Sequence, residues 1–387
     1  MSYRSSRLLR VRRVADREQS RHATWLELFF DLVFVFAIAE LAHLLHGDLN
    51  GWIIASFTGL FIPVWWLWID FSYYADQFDV ERGPYRLVML GVMLGLVVMA
   101  LTIADVLHGR SEQFAIIYST LRLVIICLYA QAWRSVPESR ELTARYTISF
   151  SVAFLLWVLS IATPEPIRFW LWAIALAIEI SNGPITYATI RPVPAQNSHM
   201  DERFGLFVII VLGEAIVSVA TGVAQTDWQW QTILAGVSGF LMAVSLWWMY
   251  FERADETTIN QALRGGKLAL FRSYVYGYSH VLTFMGIVAT GVGVQFAIEA
   301  TSDHNTFAAE QRTVLCGGIA LFLAGTTILQ WASPNSLPQR AIAMRSLLVL
   351  LTLGCLFLAL PPLVIVPLLT LALIAINIFD GVPLKAF

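Results

Sequence analysis

Charge is scarce in these 387 residues, at 13%, and cysteine is scarcer, with three. A soluble globular domain carries roughly a quarter of its residues charged, so that class is excluded. The hydrophobic share of 58% and a mean hydropathy of +0.68 point instead to a polytopic membrane protein. Cys127, Cys316 and Cys355 all fall inside apolar runs without metal-type spacing, which excludes a disulfide framework or a thiolate metal site. Also missing are an HExxH pair, a nucleophile elbow and a phosphate loop. No catalytic residue, cofactor or resident metal is therefore implied. The polar stretches between apolar runs are too brief for a soluble catalytic domain, so any function sits in the membrane bundle or its short loops.

What is present is a series of apolar runs. Crossing roughly 30 Å of hydrocarbon takes about 20 residues. Twelve runs qualify, at about 25–46, 51–74, 85–107, 113–133, 145–163, 167–190, 203–223, 230–251, 270–298, 311–331, 343–359 and 361–379. When Lys and Arg are assigned to alternate sides, only Arg110, Arg122, Arg168 and Arg312 fall on the side opposite the N-terminus. That asymmetry places both termini in the cytoplasm. The arm Arg4–Arg21 holds seven arginines and precedes a stretch too long and too acidic for a cleaved signal. Its expected partner is anionic lipid headgroups rather than nucleic acid.

The chain reads as duplicated. Sliding HMDERFGLFVIIVLGEAIVSVA at His199–Ala220 back onto TWLELFFDLVFVFAIAELA at Thr24–Ala42 superposes Glu27 on Asp201, Phe30 on Phe204, Leu32 on Leu206 and Glu40 on Glu214. Each first span is followed by one ending in tryptophans and acids, where Trp68 matches Trp247 and Ala75–Asp76 matches Ala254–Asp255. Glu112–Gln113 and Trp133 match Glu310–Gln311 and Trp331 at one constant offset. The expected fold is all-α: a transmembrane bundle of about twelve spans in two parallel six-helix repeats, related by a pseudo-two-fold axis along the membrane normal. Its parts are a basic arm (1–24), a first repeat (25–190), a linker with the start of the second repeat (191–202, opening RPVPAQNS) and a second repeat (203–387). Gly205, Gly213, Gly286, Gly291 and Gly293 allow close helix approach in lipid.

Polar residues inside the apolar runs are the candidate site. On the first span Glu27 and Asp31 share one helix face, while Glu40 and His43 share nearly the opposite one further on. The span is therefore expected to be enclosed on most of its circumference and central in its half, with the seventh span in the equivalent place. A mouth cluster of Glu27, His199, Asp201, Glu202 and Arg203 opens the seventh span; carboxylates there also suit the first turn of a helix. Glu40 and Glu214, at mid-depth, read either as hydrogen-bonded links between helices or as groups that bind and release a proton or cation. Asp31, His43 and His280 join them as candidates; His280, beside Tyr274 and Tyr278, also reads as a helix contact. Glu40-x-x-His43 has the spacing of two metal ligands on one face, but Val217 replaces the histidine in the second copy. Arg122 is the only cation expected well inside a span, and its ion-pair partner is either Asp70 or Glu179.

These stretches resemble the bacterial low-temperature-requirement A (LtrA) proteins. ELFFDLVFVFAIAELAHLL is similar to the N-terminal signature of that family and HMDERFGLFVIIVLGEAIV to its second. The resemblance covers nearly the whole chain. It implies that Glu27, Phe29, Phe30, Asp31, Leu32 and His43, with His199, Glu202, Arg203, Phe204, Gly205, Gly213 and Glu214, are the characteristic positions. It also implies a place in the bacterial inner membrane. The family name records growth in the cold, not a reaction.

The leading expectation is a transporter or channel-like protein for a small solute or ion, working through intramembrane carboxylates. The alternatives are a membrane-embedded enzyme or cofactor-binding protein, and a non-catalytic scaffold or bilayer sensor. The topology is testable by fusions. A reporter active only outside the membrane should be silent after Phe387 and active at Asp227 or His304; activity at the C-terminal fusion would mean an odd number of spans.

Overall fold

A computed structural model describes residues 10–11, 23–79, 83–190, 199–252, 267–302, 307–333 and 338–381. Of the basic arm only Arg10–Val11 and residues 23–24 are among them, and the linker residues 191–198 and the Ala254–Asp255 pair lie outside. A long helix stands at each of the twelve apolar runs. They are α1 (Trp25–Leu44), α2 (Gly51–Gln77), α3 (Gly83–Leu101) leading into the short α4 (Ile103–Leu107), α5 (Ser111–Ser135), α6 (Arg140–Ile161), α7 (Ile167–Thr189), α8 (Met200–Ala224), α9 (Trp230–Phe251), α10 (Lys267–Ser302), α11 (Ala309–Ala332), α12 (Gln339–Phe357) and α13 (Pro362–Gly381). Two residues of antiparallel pairing, Arg10–Val11 with Phe78–Asp79, are the extended structure among the described residues. The protein is an all-α membrane bundle.

Local chemistry sets the helix starts. Thr24 and Glu27 form a reciprocal cap on α1: the Glu27 carboxylate accepts from the Thr24 N–H at 2.8 Å, and the Thr24 hydroxyl accepts from the Glu27 N–H at 3.3 Å. Asn50 Oδ1 caps α2 by accepting from the N–H groups of Trp52 and Ile53. Among the described residues, ten segments are long and apolar enough to cross a membrane. The two helices outside that set are α1, which carries three acids in twenty residues, and α7, whose last turns contain Ser181, Asn182, Gly183 and Pro184. Trp25, Trp52, Trp170, Trp228 and Trp230 are exposed at or near helix ends, where tryptophan suits the membrane–water interface.

The chain divides into two compact units: Met1–Glu40, Ile62–Glu202 and Ile259–Phe271 in the first, and Leu41–Phe61, Arg203–Thr258 and Arg272–Phe387 in the second. In the first, α6 packs between α5 and α7, and α3 packs on α5. Its core is aromatic. Tyr118 lies 4.0 Å from Trp157, Trp157 lies 5.0 Å from Trp172, and Trp172 Nε1 donates to Ser160 Oγ at 2.9 Å. In the second, α13 packs along α9, where Asn377 Nδ2 donates to the Ser245 carbonyl at 2.8 Å and Thr370 to that of Ser238 at 3.1 Å.

Protein does not cover the first and seventh spans all round. Trp25, Phe29, Leu32 and Phe36 form an exposed apolar stripe on α1, and α8 exposes Ile209, Ile216 and Val217. The reason is that Glu27 and Asp31 both turn inward with Phe30 and Phe34, so one buried face suffices. The Glu40–His43 face arises only in the last turns. The most enclosed helix of the second unit is α10, buried almost throughout residues 283–300. A Cβ at Gly293 would sit 2.6 Å or less from the Leu315 backbone, and one at Gly291 would meet Ala215 of α8. Glycine is needed there because the backbones of neighbouring helices touch, which favours association in lipid.

Gly293→Ala should therefore destabilise the bundle by about 1–3 kcal/mol through overpacking, against the usual gain of replacing a helical glycine. Gly317→Ala on α11, where an added Cβ meets nothing within 4 Å, should carry no such cost. Unfolding of the two variants in mixed micelles checks this, and equal stability would refute the close approach.

Candidate functional site

Three groups of polar side chains lie inside these units. The first gathers at the start of α1. Asp76, in the last turn of α2, approaches His199 Nδ1 at 2.7 Å and also accepts from the His199 backbone N–H at 3.1 Å. On the other side of the ring, Glu27 Oε1 stands 3.5 Å from Nε2. His199 and Glu27 are buried. One turn along α1, buried Asp31 accepts from Trp68 Nε1 at 2.7 Å. The Glu27–Asp31 face is thus occupied by α2 and by the residue that opens α8. Of the remaining mouth residues, Asp201 and Arg203 are buried and Glu202 is half-buried.

The second group is a buried charge triad. Arg122 of α5 uses Nη1 to donate to Asp70 of α2 and Nη2 to donate to Glu179 of α7. The choice between two partners is resolved as both. Tyr118 donates to the same Glu179 oxygen at 3.4 Å. The guanidinium carbon lies 5.2 Å from the Tyr118 ring and 5.3 Å from Phe150, a cation–π setting. Arg122 is not the only enclosed cation. Arg345 is buried on α12 and donates to Gln330 Oε1 at 2.8 Å. Arg168 is buried with Ser111 and Glu112 as acceptors. Both sit near span ends, so their positions in the sequence did not mark them as buried.

The third group lies in the second unit. Glu214, in the middle of α8, is half-buried, and among the described residues nothing donates a hydrogen bond to it. His43, in the last turn of α1, and His46, just beyond it, are exposed and lie near Glu214. The His46 ring rests 5.3 Å from Phe296 of α10. A Cβ at Gly213 would meet nothing within 4 Å, so the space beside Glu214 is open. Glu40, in the first unit, is likewise half-buried without a hydrogen-bond donor among the described residues. Those residues contain no group of three or more His, Cys, Asp and Glu placed to hold a metal ion. His280 is different. Its ring stacks 4.0 Å from Phe204, Nδ1 faces the Tyr276 carbonyl at 2.8 Å and Nε2 faces the Tyr250 hydroxyl at 2.9 Å. The carbonyl only accepts, so Nδ1 carries the proton and Nε2 accepts from Tyr250.

Sequence reasoning missed Asp76, Trp68 and Tyr118 as functional partners. The repeated Ala-Asp pair was a usable signal for Asp76, because an acid recurring at the end of each tryptophan-rich span has a role to explain. Trp68 was marked only by its match to Trp247 in the repeat, and nothing in sequence marked Tyr118, since aromatic residues crowd these helices.

The site around His199 titrates. Burial alone would lower its pKa, but the contacts and charges of Asp76 and Glu27 outweigh that and raise it to about 9. A folded value above the ordinary 6.5 means that the stabilisation is complete below that value and is lost as pH rises through about 9. At 1.36 kcal/mol per unit the full effect is roughly 3 kcal/mol. Unfolding of the purified protein between pH 7 and 10 should show this loss, and His199→Gln should start less stable and remain flat. A wild type equally stable at both ends would disprove the assignment.

Against known proteins, the model for "Bacterial low temperature requirement A protein (LtrA)" matches residues 22–378. The chain is 30% identical over 337 residues to "Uncharacterized protein RA0937" of Rhizobium meliloti (strain 1021), covering 84% of this chain and 81% of that protein. No solved structure matches. Most of the described helices, and every residue of the three polar groups, lie within the matched region, and the chain belongs to the bacterial low temperature requirement A family of integral membrane proteins.

Proposed function

We propose that the protein moves a proton or small cation across the bacterial inner membrane, with Glu214 as the exchanging group and Glu40 as its counterpart. The observation that carries this reading is the contrast among the buried acids. Glu27, Asp31, Asp70 and Glu179 are each held by a named donor or cation. Glu214 is held by none among the described residues, although it lies about 21 Å along α8 from Met200 at 1.5 Å per residue. An acid at that depth is costly unless function retains it. The open space at Gly213 and the exposed His43 and His46 nearby supply an approach and a proton relay at the helix end.

The same reading takes residues 25–190 and 203–387 as two parallel repeats, with both termini cytoplasmic and the arginine-rich arm against anionic lipid. The superposition of Glu40 on Glu214 and the arginine asymmetry support it.

The test uses purified protein in liposomes containing a pH dye, with a potassium gradient and valinomycin to drive proton entry, and parallel vesicles reporting sodium or potassium. Wild type should pass one of these ions. Glu214→Gln, which keeps the shape but cannot cycle a proton, should insert normally and fall to background flux, and Glu40→Gln should be impaired. Equal flux in wild type and Glu214→Gln would remove the carboxylate mechanism, and no flux of any ion in wild type would remove transport.

A further inference from the structure

The charges around Arg122 do not cancel. Two carboxylates contact a single guanidinium, which stays protonated at any pH a protein tolerates. Arg122 is fully enclosed, and Asp70 and Glu179 are 5% and 1% exposed. With both acids ionised the cluster carries one uncompensated negative charge in the bundle interior, which burial away from water disfavours. The groups acting on it are Asp70 from α2, Arg122 and Tyr118 from α5, and Glu179 from α7. The α6 rings beside Arg122 and Tyr118, Phe150 and Trp157, bring no charge. Among the described residues, no second cation reaches the cluster.

We propose that Arg122, Asp70 and Glu179 form a binding site for one proton, shared between the two carboxyls, which makes the cluster neutral. The geometry shows where the proton rests. Asp70 Oδ2 and Glu179 Oε2 already accept from the guanidinium, and Tyr118 also donates to Oε2. Glu179 Oε1 is buried with no donor of its own among the described residues. A bare anionic oxygen there costs more than a neutral carboxyl. Protonation forms one O–H bond at Oε1 and leaves both guanidinium hydrogen bonds in place. When Oε1 loses the proton, Asp70 is the other carboxyl able to take it, so the pair titrates as a unit. This site lies in the first unit and does not depend on the flux assigned to Glu214.

Infrared spectroscopy of the full-length protein in liposomes tests it by the carbonyl stretch of a protonated carboxyl. Wild type should show this band at neutral pH. Asp70→Asn and Glu179→Gln each leave one acid against Arg122, which is neutral without a proton, so both single variants should lose the same band intensity, one carboxyl's worth. Loss in only one variant would mean a proton belonging to a single residue, and loss in neither would mean two ionised acids; either overturns the shared site. Should a variant fail to insert, absence of any protonated-carboxyl band from wild type at neutral pH overturns it as well.

Discussion

Hydrocarbon supplies neither hydrogen bonds nor a polarisable medium, so every charge carried into the bundle must be balanced by another group of the chain. Arg122 shows the constraint most plainly. Three helices of the first unit converge on it: α5 carries it, α2 brings Asp70 and α7 brings Glu179. Removing one acid leaves an ion pair, whereas removing the cation leaves two acids facing each other in an apolar core. Ionic contacts of this kind contribute little net stability compared with an apolar substitute. They set which helices must be neighbours and at what register.

The same rule sorts the remaining acids. Asp31 is tied to Trp68, and Glu27 to Thr24 and His199. These are fixed members of the scaffold, with their lone pairs directed at named donors. Glu40 and Glu214 are half-buried and have no such donor among the described residues. The intramembrane carboxylates thus occupy two kinds of surroundings, one supplied with donors by neighbouring helices and one without.

Packing in the second unit adds close steric contact to the hydrogen bonds that Thr370 and Asn377 make with α9. Gly286 and Gly293 strip the side of α10 that faces α11, and Gly291 the side that faces α8, so both neighbours come into backbone contact with it. His280 fits this scheme. Both of its nitrogens are engaged and its ring lies flat on Phe204, so it serves as a helix contact beside the glycine-lined face.

The sequence alone determined the helix count, the membrane class and the family, because these depend on local quantities: the length of each apolar run, its caps and the signature stretches. It also determined that Glu27 and Asp31 share a face, since helical periodicity needs no knowledge of neighbours. It singled out Arg122 but left its partner open between Asp70 and Glu179. Only the tertiary structure decided that both acids bind it, that Asp76 rather than a residue of α1 makes the closest contact with His199, and that Arg345 and Arg168 are buried too. It likewise decided that α1 presents Trp25, Phe29, Leu32 and Phe36 outward. Each of these outcomes depends on which face of one helix meets which face of another. That choice is settled by the summed packing and charge balance of several helices, and a periodicity read along one helix carries no information about it.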